Sequence, residues 1–209
     1  MYSLLVLLLA GAGLVVTLWA FLQWQATRSA MILFVLLPMA ALSLELLVTG
    51  LANWLGAGRP VSGLKAIPLL VTQITVPLSL FSLATLCRRV GFAWAKIDWG
   101  HGAVCILAVL LLIWRLPGAL RTTATQPAAI SVVDWLVFAL YLACGLGLWR
   151  RQHWPWLLAG MVTGMVLLPL SVASPLPAWL GRLLILSAMT VTMVHFTRLF
   201  PVVRDQPDE

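Results

Sequence analysis

Five strongly polar side chains lie within or at the ends of long apolar segments of this sequence. They come from five different segments: Glu45, Gln73, Arg115, Asp134 and Arg182. Glu45 is the extreme case, because it stands inside the apolar run from Met31 to Leu55. Ionisable groups are costly inside a bilayer, so they usually face the interior of a helical bundle and pair with one another. These five residues are therefore the candidate ligand-binding residues.

The distance of these residues from the ends of their segments predicts that they share one depth. Glu45 lies about ten residues before the end of its segment, or ~15 Å at the rise of an α-helix. Asp134 and Arg182 are expected about one helical turn from the same face, and Gln73 about two turns from it. Arg115 is expected to cap the outer end of its segment. The five side chains should thus meet in the outer half of the bundle.

The sequence leaves two interpretations of this polar layer open. In one, Glu45 or Asp134 forms a structural salt bridge with Arg182 and holds helices together. In the other, the layer is a ligand or proton site that opens to the outside. Because two carboxylates compete for one arginine at this depth, we expect Glu45 and Arg182 to form an inner pair. Asp134, which is nearer the surface, is then expected to face water.

The apolar segments predict an all-α fold: a polytopic membrane protein with seven transmembrane helices in a single domain, 1–209. The chain is 62% apolar and 9% charged, whereas a soluble domain is nearer half apolar and a quarter charged. A membrane span needs about 20 apolar residues. The seven qualifying segments are 2–24, 30–55, 66–86, 101–116, 130–149, 154–171 and 178–199.

The distribution of lysine and arginine predicts the orientation. One side of the membrane would hold Arg28, Arg88, Arg89, Lys96, Arg150, Arg151, Arg198 and Arg204, and the other Arg59, Lys65, Arg115, Arg121 and Arg182. The positive-inside rule then places the N-terminus outside and the C-terminus in the cytoplasm. The net charge of +7 comes from single and paired basic residues. This spacing indicates contact with the lipid bilayer and no nucleic-acid partner.

Neither a cofactor nor a metal is expected. His101, His153 and His195 fall near the cytoplasmic ends of their segments, which is a poor depth for the two ligands of a haem. Lys65 and Lys96 lie at or outside segment ends, so no buried amine is expected that could hold retinal. The sequence also lacks the common catalytic motifs. The three cysteines are interpreted as packing residues.

Small residues and prolines predict details of helix packing. Gly160 and Gly164 form a small-xxx-small pattern, which favours a close helix–helix contact. Pro77 follows Gln73 by one turn, and a proline inside a helix leaves the carbonyl four residues earlier without its helical donor. The polar layer is expected to open at that point.

Four short parts of the sequence together form a familiar pattern: Leu44-Glu45-Leu46-Leu47, Lys65, the segment from Pro77 to Phe81, and the final segment from Arg198 to Asp205. They resemble the N-terminal seven-helix sensory region of some bacterial histidine kinases and diguanylate cyclases. The resemblance implies a sensory input module with an outside N-terminus and a cytoplasmic C-terminus. In that family an output domain would begin near Glu209, so the resemblance implies either an input module without its output or one that signals through a partner.

The leading hypothesis is a non-enzymatic sensory or binding module of a bacterial inner (plasma) membrane. It would take a small lipophilic ligand, or the helix of a membrane protein partner, at the polar layer. One alternative is an accessory or assembly subunit of a membrane complex. Another is a small intramembrane enzyme acting on a lipidic or isoprenoid substrate, with Glu45 as general acid and Asp134 as its counterpart. A transporter is disfavoured, because no internal repeat is evident.

Overall fold

A computed structural model describes residues 2–55, 60–121, 131–172 and 175–200 of the chain. All elements in these ranges are helical. They are α1 (Tyr2–Thr27), α2 (Ala30–Leu55), α3 (Pro60–Val90), α4 (Ala93–Lys96), α5 (Asp98–Arg121), α6 (Val132–Gln152), α7 (Trp156–Leu167), a 3-10 turn (Pro169–Val172) and α8 (Leu176–Leu199). The expectation of an all-α fold is confirmed for these ranges.

The lengths and composition of the helices support a multi-pass membrane protein. Six of the helices in the described ranges are long and apolar enough to cross a bilayer: α1, α2, α3, α5, α6 and α8. They coincide with six of the seven predicted segments. The remaining segment, 154–171, corresponds to α7, a helix of 12 residues, and to the 3-10 turn that follows it.

The end of α3 lies beyond the predicted boundary at residue 86. The helix continues through Arg88 and Arg89, whose charges suit the negative end of the helix dipole. It ends at Gly91, which has a φ of +85°, a conformation that glycine adopts without strain. The backbone N–H of Phe92 then donates to the carbonyl of Cys87 at 3.0 Å, a Schellman closure. The short helix α4 that follows was not predicted.

Contacts between α7 and α8 show that these two helices run antiparallel. The ring of Trp154, just before α7, stacks on His195 near the end of α8 with centroids 3.8 Å apart. At the other end of α7, Gly164 lies against Gly181 near the start of α8. Helix α7 therefore runs alongside α8 in the opposite direction, between the end of α6 and the start of α8.

The remaining long helices alternate in direction. The rings of Tyr2 and Trp179 lie 6.3 Å apart at the starts of α1 and α8, so these two helices run in the same direction. The hydroxyl of Ser82, late in α3, donates to the carbonyl of Met31 at the start of α2 at 2.7 Å, so α2 and α3 are antiparallel.

These directions give the bundle two chemically distinct ends. At one end α1, α3, α6 and α8 begin and α2 and α5 finish; we call it the cleft end. The opposite, basic end carries Arg28, Arg88, Arg89, Lys96, Arg150, Arg151 and Arg198.

The helices differ in how much of their surface the bundle covers. In the most apolar window of α2, 61% of the residues are buried, whereas the shares for α1 and α5 are 22% and 11%. Apolar side chains such as Leu8 in α1 and Leu110 in α5 are more than half exposed. In a bilayer such faces contact lipid, so α1 and α5 form the periphery and α2, α3 and α8 the centre.

Candidate functional site

A cleft of about 480 Å³, including its open mouth, lies between five helices. Its lining consists of Leu42 from α2, Leu69, Thr72, Gln73 and Val76 from α3, Arg115 from α5, Asp134 and Phe138 from α6, and Arg182 and Leu186 from α8. Ligand pockets in proteins commonly have a mostly apolar lining with a few polar groups. Four of the five sequence-predicted residues therefore lie around one space.

The order of residues along the helices gives the cleft a polar layer above an apolar floor. On α6, Asp134 lies one turn nearer the cleft end than Phe138, and on α8 Arg182 lies one turn nearer it than Leu186. On α3, Gln73 likewise precedes Val76. Because side chains three or four residues apart stack along one helix face, the charged groups share one level and the apolar groups the next.

The guanidinium of Arg115 binds the carboxylate of Asp134 through both of its oxygens. Nη1 of Arg115 contacts Oδ1, and Nη2 donates to Oδ2 at 3.0 Å. The two side chains are only 10% and 7% exposed. A bidentate ion pair of this kind is stronger than a single hydrogen bond between arginine and a carboxylate. The pair therefore forms a rigid side of the cleft.

The same carboxylate also caps the start of α6. Oδ2 of Asp134 accepts from the backbone N–H of Ser131 at 3.0 Å and from its hydroxyl at 3.2 Å. The hydroxyl of Ser131 in turn accepts from the backbone N–H of Asp134 at 3.3 Å. This reciprocal arrangement is a capping box. It positions the carboxylate of Asp134, to which Arg115 also binds.

These contacts correct the predicted environment of Asp134. The prediction that Asp134 faces water is wrong, because the residue is 5% exposed and Arg115 holds it. The error arose from treating Arg115 as a cap at the surface and Arg182 as the arginine available to both carboxylates. The guanidinium of Arg115 reaches Asp134 from near the end of α5, because a long arginine side chain can place its charge well away from its own backbone.

Gln73 brings hydrogen-bonding capacity to the cleft. Its amide has no hydrogen-bond partner within the described part of the chain, and the side chain is half-buried. Pro77 lies inside the same helix and has no backbone N–H to donate to the carbonyl of Gln73. The neighbouring hydroxyl of Thr72 donates to the carbonyl of Pro68 at 2.9 Å and retains its acceptor lone pairs for the cleft.

Glu45 lies beside the cleft and does not line it. It is 7% exposed and stands one turn along α2 from Leu42, which does line the cleft. Its predicted pairing with Arg182 stays a prediction. The structure thus brings Gln73, Arg115, Asp134 and Arg182 together and leaves Glu45 one turn from the lining.

The histidines lie away from this cleft. His101 starts α5, His153 is the C-cap of α6, and His195 lies in the last two turns of α8, all towards the basic end. His195 stacks on Trp154, and the indole N–H of Trp154 donates to the hydroxyl of Thr192 at 3.1 Å. No cluster of three or more His, Cys, Asp or Glu side chains that could hold a metal ion occurs among the described residues.

Two buried cysteines form a contact that sequence reasoning missed. Sγ of Cys87 in α3 lies 3.3 Å from Sγ of Cys144 in α6, and both are buried and free. The residues are 57 positions apart, so no local spacing could have revealed the pair. The contact shows how closely α3 and α6 approach below the cleft.

The chain matches no known protein family, no curated protein and no solved structure.

Proposed function

We propose that this chain is a sensory or binding module of a bacterial inner membrane that takes a small ligand in the cleft. The observation that supports the proposal is the combination of two arginines, one aspartate and one glutamine with an apolar floor in a single open space of about 480 Å³. Intramembrane ionisable residues around a cavity are typical of ligand and ion sites. A purely structural salt bridge would need no cavity beside it.

The proposed topology has seven spans, with the cleft end outside. The 12 residues of α7 at 1.5 Å each and the four residues of the 3-10 turn at 2.0 Å each give roughly 26 Å. This length is close to the thickness of the hydrocarbon core, ~30 Å. The seven described arginines and lysines of the basic end favour a cytoplasmic location for that end. The cleft then opens towards the outside, where a sensor would meet its ligand.

A labelling experiment tests this topology. In a background with Cys105 replaced by serine, one cysteine is added in place of either Arg150, exposed at the end of α6, or Pro175, exposed at the start of α8. Cys87 and Cys144 are buried and remain in place. A membrane-impermeant maleimide should label P175C in intact cells and R150C only after permeabilisation. Labelling of both from the same side would show that α7 does not cross the membrane.

The proposed ligand site is tested by filling the cleft. Leu186→Trp adds bulk to the apolar floor, and the matched control Leu110→Trp adds the same side chain to the exposed face of α5. Native mass spectrometry of protein purified in mild detergent should show a bound small molecule in the wild type and in the control but not in Leu186→Trp. A wild type that carries no small molecule, or a mass shift that survives in Leu186→Trp, would contradict the proposal.

The intramembrane-enzyme alternative receives less support from the geometry. Its counterpart residue, Asp134, is already engaged by Arg115 and Ser131, and its partner in that hypothesis, Glu45, does not line the cleft. An acid–base pair must reach the reacting atoms of its substrate. The two carboxylates are not placed around one common space.

A further inference from the structure

We propose that one corner of the basic end binds the phosphate group of an anionic membrane phospholipid. The corner lies around the turn at Gly91, where α3, α4 and α6 meet, and its cations are Arg151 and Lys96. It is at the opposite end of the bundle from the cleft, so it does not rest on the function proposed there. The convergence of the cations, the charge balance and the exposed aromatic side chains beside them each support the assignment.

Two basic side chains converge on Gly91. Nη1 of Arg151, at the end of α6, donates to the carbonyl of Gly91 at 3.0 Å, and its guanidinium lies over the ring of Phe92, 4.9 Å from the centroid. The side chain of Lys96 lies over the same turn, because a Cβ built on Gly91 would be 3.7 Å from Nζ. Like charges repel one another, so two cations held beside one residue favour the binding of an anion next to them.

Arg151 is held in place and still has hydrogen-bonding capacity for a ligand. Its contact with Gly91 uses one of the five N–H groups of a guanidinium, and the residue is exposed. Arginine binds phosphate oxygens through two parallel N–H groups, whereas lysine binds phosphate as a point charge. A side chain that its neighbours already fix loses less conformational entropy on binding. We therefore expect Arg151 to bind the phosphate directly, with Lys96 adding a second positive charge.

The charge balance of the corner favours an anionic headgroup. Within the described part of the chain, neither Arg151 nor Lys96 forms an ion pair with a carboxylate, and Asp98 pairs with Arg88 at 3.5 Å. Basic residues at a membrane surface attract anionic lipids. A phosphodiester without an ammonium group would reduce the excess positive charge, whereas a zwitterionic headgroup would bring a further cation to the site.

Exposed apolar side chains beside the cations point to lipid as the source of the phosphate. Trp94, Ile97 and Trp99 are exposed, while Ala95 among them is fully buried and anchors this segment to the bundle. Tryptophan is enriched at the membrane–water interface, where its ring lies at the level of the headgroups. A soluble phosphate would not contact these side chains, whereas the glycerol and the first acyl carbons of a phospholipid would.

Native mass spectrometry of the full chain in mild detergent tests the preference for anionic lipid. The protein is mixed with equal amounts of dioleoyl phosphatidylglycerol and dioleoyl phosphatidylcholine, which share their acyl chains and differ in headgroup charge. The wild type should bind phosphatidylglycerol about tenfold or more tightly. Each basic residue near a membrane surface contributes roughly a factor of five to such binding, so Arg151→Gln should lower the ratio about fivefold. The double variant K96Q/R151Q should lower it further.

A second double variant, R28Q/R198Q, provides the matched control. It removes two positive charges from another corner of the same end, where Arg28 lies over the ring of Trp24 and Arg198 donates to Gln23. Arg28, like Arg151, is an exposed arginine over an aromatic ring. The control should keep the wild-type ratio of the two lipids.

Three results would overturn the proposal. Equal binding of the two lipids by the wild type would show that the corner does not select an anionic headgroup. An equal loss of preference in both double variants would show that net charge, and not this corner, attracts the lipid. Displacement of phosphatidylglycerol by an equal concentration of glycerol phosphate would show that the site takes a soluble phosphate. Arg151→Lys, which keeps the charge, should retain most of the preference, and the single variants Arg151→Gln and Lys96→Gln decide the case if the double variant does not fold.

Discussion

Arg115 and Asp134 join two consecutive helices, α5 and α6, that make no extended backbone contact with each other over their described residues. Helix α5 packs on α3 and α4, and α6 packs on α3 and α7. At the basic end the ring of Phe92, which lies between α3 and α4 in the chain, packs against Gly147 of α6. The ion pair therefore links α5 to α6 at the cleft end, where the backbones of these two helices do not pack against each other.

A double-mutant cycle on this pair tests its role. Removing one member of a buried ion pair leaves an uncompensated charge and typically costs about 3–5 kcal/mol, whereas removing both costs less. Arg115→Met and Asp134→Asn should each lower the melting temperature in detergent, and the double variant should recover part of the loss. The asparagine retains a side-chain oxygen for the contacts with Ser131.

The pair Arg88–Asp98 provides the control for that cycle. Its atoms are 3.5 Å apart, and the side chains are 54% and 90% exposed. Exposed ion pairs contribute little to stability, so Arg88→Met, Asp98→Asn and their combination should leave the melting temperature nearly unchanged. Strictly additive losses at Arg115 and Asp134 would show that the two side chains do not interact in the membrane protein.

The predicted glycine contact of α7 leads to a second test. An added Cβ at Gly164 would lie 2.7 Å from the carbonyl oxygen of Gly181, a backbone atom that cannot move away independently. Gly11 in α1 has no heavy atom within 4 Å of the same position. Gly164→Ala should therefore destabilise the protein by about 1–3 kcal/mol, while Gly11→Ala should be neutral or stabilising because alanine favours helix. Thermal unfolding of both variants in one detergent gives the comparison, and equal melting temperatures would contradict the close approach of α7 and α8.

The location of the helices could be predicted from the sequence because each is a long apolar run. The small-xxx-small pattern at Gly160 and Gly164 also indicated a close contact, and the structure confirms it against Ala188 and Gly181 of α8. The helix that packs against these two glycines was not predictable, because small residues permit a close approach to many different neighbours. The extension of α3 and the short helix α4 were missed because they depend on the turn at Gly91.

The depth of the candidate site in the bundle could be predicted from the sequence, but the ion pairing of its side chains could not. Distance along a helix gives the level of a side chain in the membrane, and this placed Gln73, Arg115, Asp134 and Arg182 at one level. Which side chains touch depends on the rotation of each helix about its axis, which is decided by packing between distant segments. For this reason the pairing of Arg115 with Asp134 was missed, although both residues had been singled out.

The contact between Cys87 and Cys144 provides a test of the packing below the cleft. At 3.3 Å between sulfur atoms, a mild oxidant such as copper phenanthroline should convert the two thiols to a disulfide in the membrane. Intact mass should fall by the two hydrogens lost, and peptide mapping should link α3 to α6. Cys105, which lies on α5, should remain a thiol that a maleimide labels. A link from Cys105 to either of the others would contradict the arrangement of α3, α5 and α6.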